Sequence, residues 1–201
     1  MKIKRIPVGV YAANCYIVFD ENTSEGLIID PGDESRILKK EVDTLGVKVK
    51  HIFITHGHMD HTGAVLDLKN ILGAKVYINE KDENMIINRA SMFGTLENCG
   101  TADIKLKDGD NFKVGSLKLE CIETPGHTLG GMCFLIDNVL FTGDTLFQSS
   151  IGRTDFEGGD FDMIIKSIKE KLLVLPEGTI VLPGHGPETS IKYEKMYNPF
   201  L

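Results

Sequence analysis

The segment Thr55-His56-Gly57-His58-Met59-Asp60-His61 constrains this chain more than any other feature, because it follows directly on the apolar run from His51 to Thr55. An apolar run of that length bounded by turn residues reads as a buried strand. In extended backbone, positions i and i+2 point the same way, so His56 and His58 can converge on one point at the strand end. Imidazole suits zinc and iron, and Gly57 lets the chain turn without a side chain crowding an ion. Asp60 and His61 open the next helix, where the backbone swings away, so they can face a second point nearby. A histidine-rich surface loop with Asp60 as a helix cap is the plain alternative. The pattern HxHxDH arises by chance in roughly four of ten thousand chains of this composition, which favours a metal site.

Two other histidines sit in a matching context. His127 in TPGHT and His185 in LPGHG each follow a β-rich run and a Pro-Gly turn, which stiffens the loop that presents the ring. Asp144 ends VLFTGD; alone it reads as a turn cap, and beside five candidate histidines it reads as a bridging carboxylate. His51 lies at the near end of its strand, about five extended residues from His56, and is set aside as a ligand.

The surrounding pattern places these residues. Short β-rich runs fill the first thirty residues, and Ile37, Leu38, Val42 and Leu45 then share a helical face over 34–45, closed by Gly46. Val65, Leu66, Leu68 and Leu72 mark a second helix, and 75–79 another strand. Residues 80–102 read as a short helix running into a covering loop. From 103 to 143 the text is β again, with turns at Asp108-Gly109 and Asp137-Asn138, and is expected to form a second sheet of antiparallel hairpins. Phe161, Ile164, Ile165, Ile168 and Leu172 keep helical spacing behind Asp160 as N-cap. A strand, TIVLP, and a helix over about 188–196 complete the pattern. Strand-rich halves each followed by helices predict an α/β chain in four layers, an αββα sandwich. With 201 residues, 42% of them apolar, and no linker-like stretch, one domain spanning 1–201 is expected.

Composition excludes other classes. No run approaches eighteen apolar residues and no basic, apolar leader opens the chain, which argues against membrane spanning and export. The net charge is −7, from 22 basic and 29 acidic residues, and the basic residues are scattered along the sequence. That disfavours a nucleic-acid partner and favours a small-molecule substrate. Cys15, Cys99, Cys121 and Cys133 show no CxxC spacing, in keeping with a reducing cytoplasm.

Taken together, HGHMDH at 56–61, TPGHT at 124–128, FTGDTLF at 141–147 and PGHG at 183–186 resemble the metallo-β-lactamase superfamily in that order and over nearly the whole chain. The resemblance implies an αββα sandwich with metals at one edge between the sheets. It implies His56, His58 and His127 on a first divalent metal, Asp60, His61 and His185 on a second, and Asp144 bridging them; zinc is expected, with iron or manganese as alternatives. GDTLFQSSIGRTDFEGGD at 143–160 and the ending YNPFL look like the glyoxalase II group, the hydroxyacylglutathione hydrolases and their short bacterial relatives. That implies hydrolysis of a small-molecule thioester of the S-hydroxyacylglutathione type by a metal-bridging hydroxide, which Asp60 orients while binding its metal. Full-length glyoxalase II carries a C-terminal helical domain that supplies much of the glutathione contact, whereas sixteen residues follow His185 here, so the thiol carrier is left open. GRTDF at 152–156 also resembles persulfide dioxygenases, which keep one iron; that activity and hydrolysis of another ester or lactone are the alternatives. Arg153 reads as a prop behind the metal ligands, a clamp for a substrate carboxylate, or one half of a structural salt bridge.

Overall fold

The computed structural model describes residues 1–88, 90–91, 94–95 and 101–201. The first half runs β1 (Lys2–Val8), β2 (Ala13–Phe19), β3 (Glu25–Ile29), α1 (Ser35–Leu45), β4 (Lys48–Phe53), α2 (Met59–Thr62), α3 (Val65–Leu72), β5 (Lys75–Asn79) and α4 (Glu83–Asn88). Two-residue strands β6 (Ala90–Ser91) and β7 (Gly94–Thr95) then pair with each other, ahead of β8 (Ile104–Leu106). The second half runs β9 (Asn111–Val114), β10 (Leu117–Glu123), β11 (Met132–Ile136), β12 (Val139–Gly143), β13 (Leu146–Phe147), β14 (Ser150–Ile151), α5 (Phe161–Ser167), β15 (Ile180–Pro183), β16 (Thr189–Ser190) and α6 (Ile191–Tyr197).

Among the described residues these strands build two six-stranded sheets, β1-β2-β3-β4-β5-β8 and β16-β15-β12-β11-β10-β9. Side-chain alternation in β2 shows why they stack. Tyr16 and Val18 face the second sheet and share a core with Phe134, Ile136 and Phe141. Cys15 and Ile17 face the other way and pack under Leu38 and Val42 of α1. The Tyr16 and Phe141 rings meet edge to face at 5.1 Å, a geometry that aromatic quadrupoles favour. On the outer face of the second sheet, Cys133, Leu140 and Val181 are covered by Ile164 and Ile168 of the α5 segment and Ile191 of α6. The result is the expected αββα order: helices, sheet, sheet, helices. No helix among the described residues is long and apolar enough to cross a membrane.

The ends follow local chemistry. Gly46 closes α1 at φ 65°, a backbone conformation that β-carbon-bearing residues resist, and its N–H returns to the last turn. Asp160 caps α5 by accepting from the Met163 N–H at 2.8 Å, worth about 1 kcal/mol. Beyond Ser167 the α5 pattern continues not as α-helix but as a wider π turn over Ile168–Leu172. The last helix begins at Ile191 rather than near residue 188, because Thr189 and Ser190 are drawn into pairing with Val181 and Ile180.

One expectation fails. Ile104–Leu106 does not join the second sheet; it runs parallel to β5 in the first. The Asp108-Gly109 turn therefore carries the chain from one sheet to the other instead of closing a hairpin. Turn residues look the same in both cases, and the partner is settled by the long crossover from β5 through α4. Part of the covering loop expected over 80–102 lies outside the described residues.

Candidate metal centre

Five of the seven expected ligands sit just beyond the C-terminal end of a strand. His56 and His58 follow β4, His127 follows β10, Asp144 follows β12 and His185 follows β15, while Asp60 and His61 lie on the short α2. Because β3 and β4 run parallel, as do β12 and β15, those ends gather at one edge of the seam between the sheets. The seam is pinned there by hydrogen bonds. The Asn14 N–H donates to the Gly184 carbonyl at 2.7 Å, and the Tyr16 hydroxyl donates to the Pro183 carbonyl at 2.7 Å, which fixes the His185 loop of the second sheet on the first.

The side chains form two clusters. His56, His58 and His127 bring one ring nitrogen each within 4.8 Å of one another, and Asp60, His61 and His185 do the same with a carboxylate oxygen and two nitrogens. Asp144 lies between them: Oδ1 is 3.4 Å from His61 Nε2, and Oδ2 is 3.6 Å from His185 Nε2 and 3.7 Å from His127 Nε2. The other short approaches are His58 Nδ1 to His127 Nε2 at 2.9 Å, His61 Nε2 to His185 Nε2 at 3.3 Å and Asp60 Oδ2 to His185 Nε2 at 3.3 Å.

The donor set fits divalent cations. His127 Nδ1 donates to the Arg153 carbonyl at 2.7 Å, so in the neutral ring Nε2 carries the lone pair that faces His58. His56 Nε2 and Asp144 Oδ1 are buried without a hydrogen-bond partner among the described residues. Each such orphan costs about 1–3 kcal/mol unless something pairs with it. Facing lone pairs and orphaned nitrogen and oxygen donors are relieved together by cations, and a nitrogen and oxygen set without thiolate suits zinc, iron or manganese. The clusters differ electrostatically. Burial, reinforced by the neighbouring imidazoles, pushes His56 far below the usual histidine range and His58 down to about 3, so those rings keep their electron pairs. Burial also opposes charge on His61, yet Asp144, Asp30 and Asp60 outweigh it and push its pKa up to about 10. That corner demands positive charge, whether from a proton or a metal ion.

Sequence reasoning missed the groups that hold these ligands in place. Asp30, just past β3, accepts from the Thr55 N–H at 2.7 Å and the Thr55 hydroxyl at 2.6 Å, and its Oδ2 meets His61 Nδ1 at 3.0 Å. Asp30 also lies close enough to group with His56 and His61 as a potential ligand, but these three bonds make it a support. The signal was present, since Asp30 ends an apolar strand ahead of Pro31-Gly32 much as Asp144 ends its own. Asp82 had no such signal. It accepts from the Gly57 N–H at 3.1 Å, the Gly130 N–H at 2.7 Å and the Thr128 hydroxyl at 2.7 Å, tying the His56–His58 loop to the His127 loop. Asp30→Asn keeps the volume but turns an amide donor towards either His61 or Thr55. The expected result is a 10- to 100-fold loss of metal affinity, measured by competition with a chromogenic chelator; unchanged affinity would show that Asp30 does not orient His61.

Arg153 supports His127 through its backbone. Its carbonyl receives His127, while its guanidinium pairs with Asp155 through two 2.7 Å bonds and lies 3.7 Å above the Phe156 ring. His51 is remote from the clusters, with Nδ1 on the Tyr77 hydroxyl at 2.8 Å.

A model of the metallo-β-lactamase superfamily matches residues 8–185. A hydroxyacylglutathione hydrolase, GloC of Haemophilus influenzae, is 39% identical, with 100% of this chain and 98% of that protein aligned. The crystal structure of the B3 metallo-β-lactamase BLEG-1 superposes with a TM-score of 0.94 at 34% identity, covering 99% of both chains. The crystal structure of TTHA1623 in a di-iron-bound form superposes at 0.87 and 33% identity, covering 98% of this chain and 100% of that one. Four strand ends that deliver facing nitrogen and oxygen donors to one sheet edge, over a fold shared across whole chains, have one reading: this chain belongs to the metallo-β-lactamase superfamily.

Proposed function

We propose that this chain is a binuclear metallohydrolase acting on small thioesters of the S-hydroxyacylglutathione type. The observation that carries the two-metal part is the pair of three-residue clusters with Asp144 between them. Its likeness to the hydroxyacylglutathione hydrolase of Haemophilus influenzae supports the thioester part.

Two divalent cations bound there would supply a hydroxide at neutral pH and Lewis-acid polarisation of the substrate carbonyl. The residues do the rest. Asp30 and the Arg153 carbonyl hold His61 and His127 in fixed tautomers and orientations. Substrate enters over Asp60 and His185, whose side chains keep 23% and 29% of their surface exposed while His61 is closed off. Asp60, at that opening, orients the attacking water. Phe156 beside His58, at 5.7 Å between ring centres, and Phe147 beside His185, at 6.3 Å, flank the entrance with apolar surface. A thiolate is a good leaving group, so no separate acid is needed.

Zinc is the proposed metal, with iron or manganese as alternatives, and the cytoplasm the proposed compartment. Cys15, Cys121 and Cys133 are buried and unbridged, and burial pushes the Cys133 thiol up to about 11. The test is metal analysis of the purified protein, paired with assays of S-lactoylglutathione hydrolysis and of oxygen uptake on glutathione persulfide. Two metals per chain with thioester hydrolysis is the expected result. One iron with oxygen uptake would replace it with a dioxygenase, and hydrolysis confined to other esters or lactones would correct the substrate.

A further inference from the structure

Although the lysines are scattered in sequence, the fold brings three of them together far from the metal centre. Glu25 and Gly26 at the start of β3, Lys48, Lys50 and His51 on β4, and Lys113 and Val114 on β9 line a cleft of about 220 Å³. Lys48 is eight residues before His56 on a largely extended chain, so the cleft and the centre lie roughly 25 Å apart, at opposite ends of the sheets.

The cleft depends on a backbone irregularity. Along the β3–β4 pair, Gly26 partners Val49 but Leu27 partners His51, so Lys50 is an extra residue in β4. Val49 and Ile52, three apart, both face the helix-side core. Regular alternation would put His51 on Val49's face; the bulge instead puts it on the same face as Phe53, with Lys48. There the ring lies 5.5 Å from that of Tyr77. A bulge gives up regular ladder pairing, and such features recur where a side chain has to be re-aimed.

The charges are unbalanced. Lys50 is paired with Glu25 at 3.1 Å, and the second oxygen of Glu25 receives the Gly115 N–H at 3.1 Å. Lys48 feels the same carboxylate without bonding to it, and Lys113 has no ion-pair partner among the described residues. Lys75, opposite His51 on β5, adds to the positive field. Two uncompensated ammonium groups thus face a cleft in a chain whose net charge is −7. Ammonium groups on flexible stems suit phosphoryl oxygens as point charges. The volume is below the roughly 300 Å³ at which drug-sized pockets begin, which limits the ligand to a small one. We propose that this cleft binds a small phosphate-bearing anion, either free phosphate or a short phosphate monoester.

The test uses the 201-residue chain loaded with zinc, titrated in low salt with inorganic phosphate and separately with glycerol 3-phosphate while backbone amide NMR shifts are followed. Saturable shifts at Gly26, Lys48 and His51 are expected. In Lys48→Ala/Lys113→Ala they should need at least tenfold more ligand, while basal hydrolysis is unchanged. Equal affinity for both probes assigns free phosphate, and preference for glycerol 3-phosphate assigns an ester. Absence of saturable shifts at the cleft overturns the proposal, whether or not Gly184 and His185 respond at the metal centre. So do cleft shifts that the double variant leaves equally tight.

Discussion

Asp144→Ala is expected to reduce bound metal from two ions per chain to one or fewer and to lower thioester hydrolysis by about a thousandfold. A carboxylate lying between both clusters, 3.4 Å from His61 and 3.7 Å from His127, has no substitute nearby, since Asp60 approaches only the His61 and His185 rings. A thousandfold loss corresponds to about 4 kcal/mol, the scale of several kcal/mol that metal-ion stabilisation supplies. Stability of the metal-free protein should fall as well. Asp144 is the foremost of the carboxylates that favour charge on buried His61, 3.4 Å away, and removing one partner of such a pair leaves the other uncompensated. Metal analysis, hydrolysis rates and thermal melting of the metal-free form check the three parts. Retention of two metals and full activity would refute the bridging role.

Gly32→Ala should damage the centre from behind. A β-carbon at Gly32 would sit 1.6 Å from the Asp60 carbonyl oxygen, and one at Gly63 would sit 2.0 Å from the Gly32 carbonyl oxygen. The loop after β3 and the helix carrying Asp60 and His61 therefore meet backbone to backbone, and no side-chain rotation makes room. The backbones must part, and overpacking of this kind costs about 3 kcal/mol. At this chain length that lowers Tm by about 6–12 °C. Displacing a reacting group by about 1 Å can cost a hundredfold in rate, so kcat/KM should fall by about that factor. A melt and an activity profile matching the parent protein would show that the approach is looser than it stands here.

What was legible in the sequence was whatever carries a local pattern. The candidate ligands His56, His58, His127, Asp144 and His185 are recognisable because strand ends and Pro-Gly turns mark them, and the structure gathers these side chains with Asp60 and His61 into neighbouring clusters. The layers are recognisable because the periods of β2, α1 and α5 are written in neighbouring residues. What escaped depends on distant partners. Asp82 is one carboxylate in an irregular stretch, and its role exists only once Gly57 and Gly130 lie on either side of it. Ile104–Leu106 alternates as any strand would, and only the crossover decides which sheet receives it. Arg153 drew attention for its charge, whereas its carbonyl makes the contact with His127, and a carbonyl leaves no trace in residue identity.

The division of the centre between the two sheets has a consequence for biosynthesis. His56, His58, Asp60 and His61 leave the ribosome early, but His127, Asp144 and His185 follow only after much of the second sheet has been made, and Asn14 and Tyr16 must wait for the residue 183–186 loop before the seam can be pinned. A nascent chain can hold a metal loosely by its first four donors but cannot complete either cluster. On the proposed two-metal reading, neither cluster can be completed until the second sheet has folded against the first, so filling the centre would follow the joining of the two sheets.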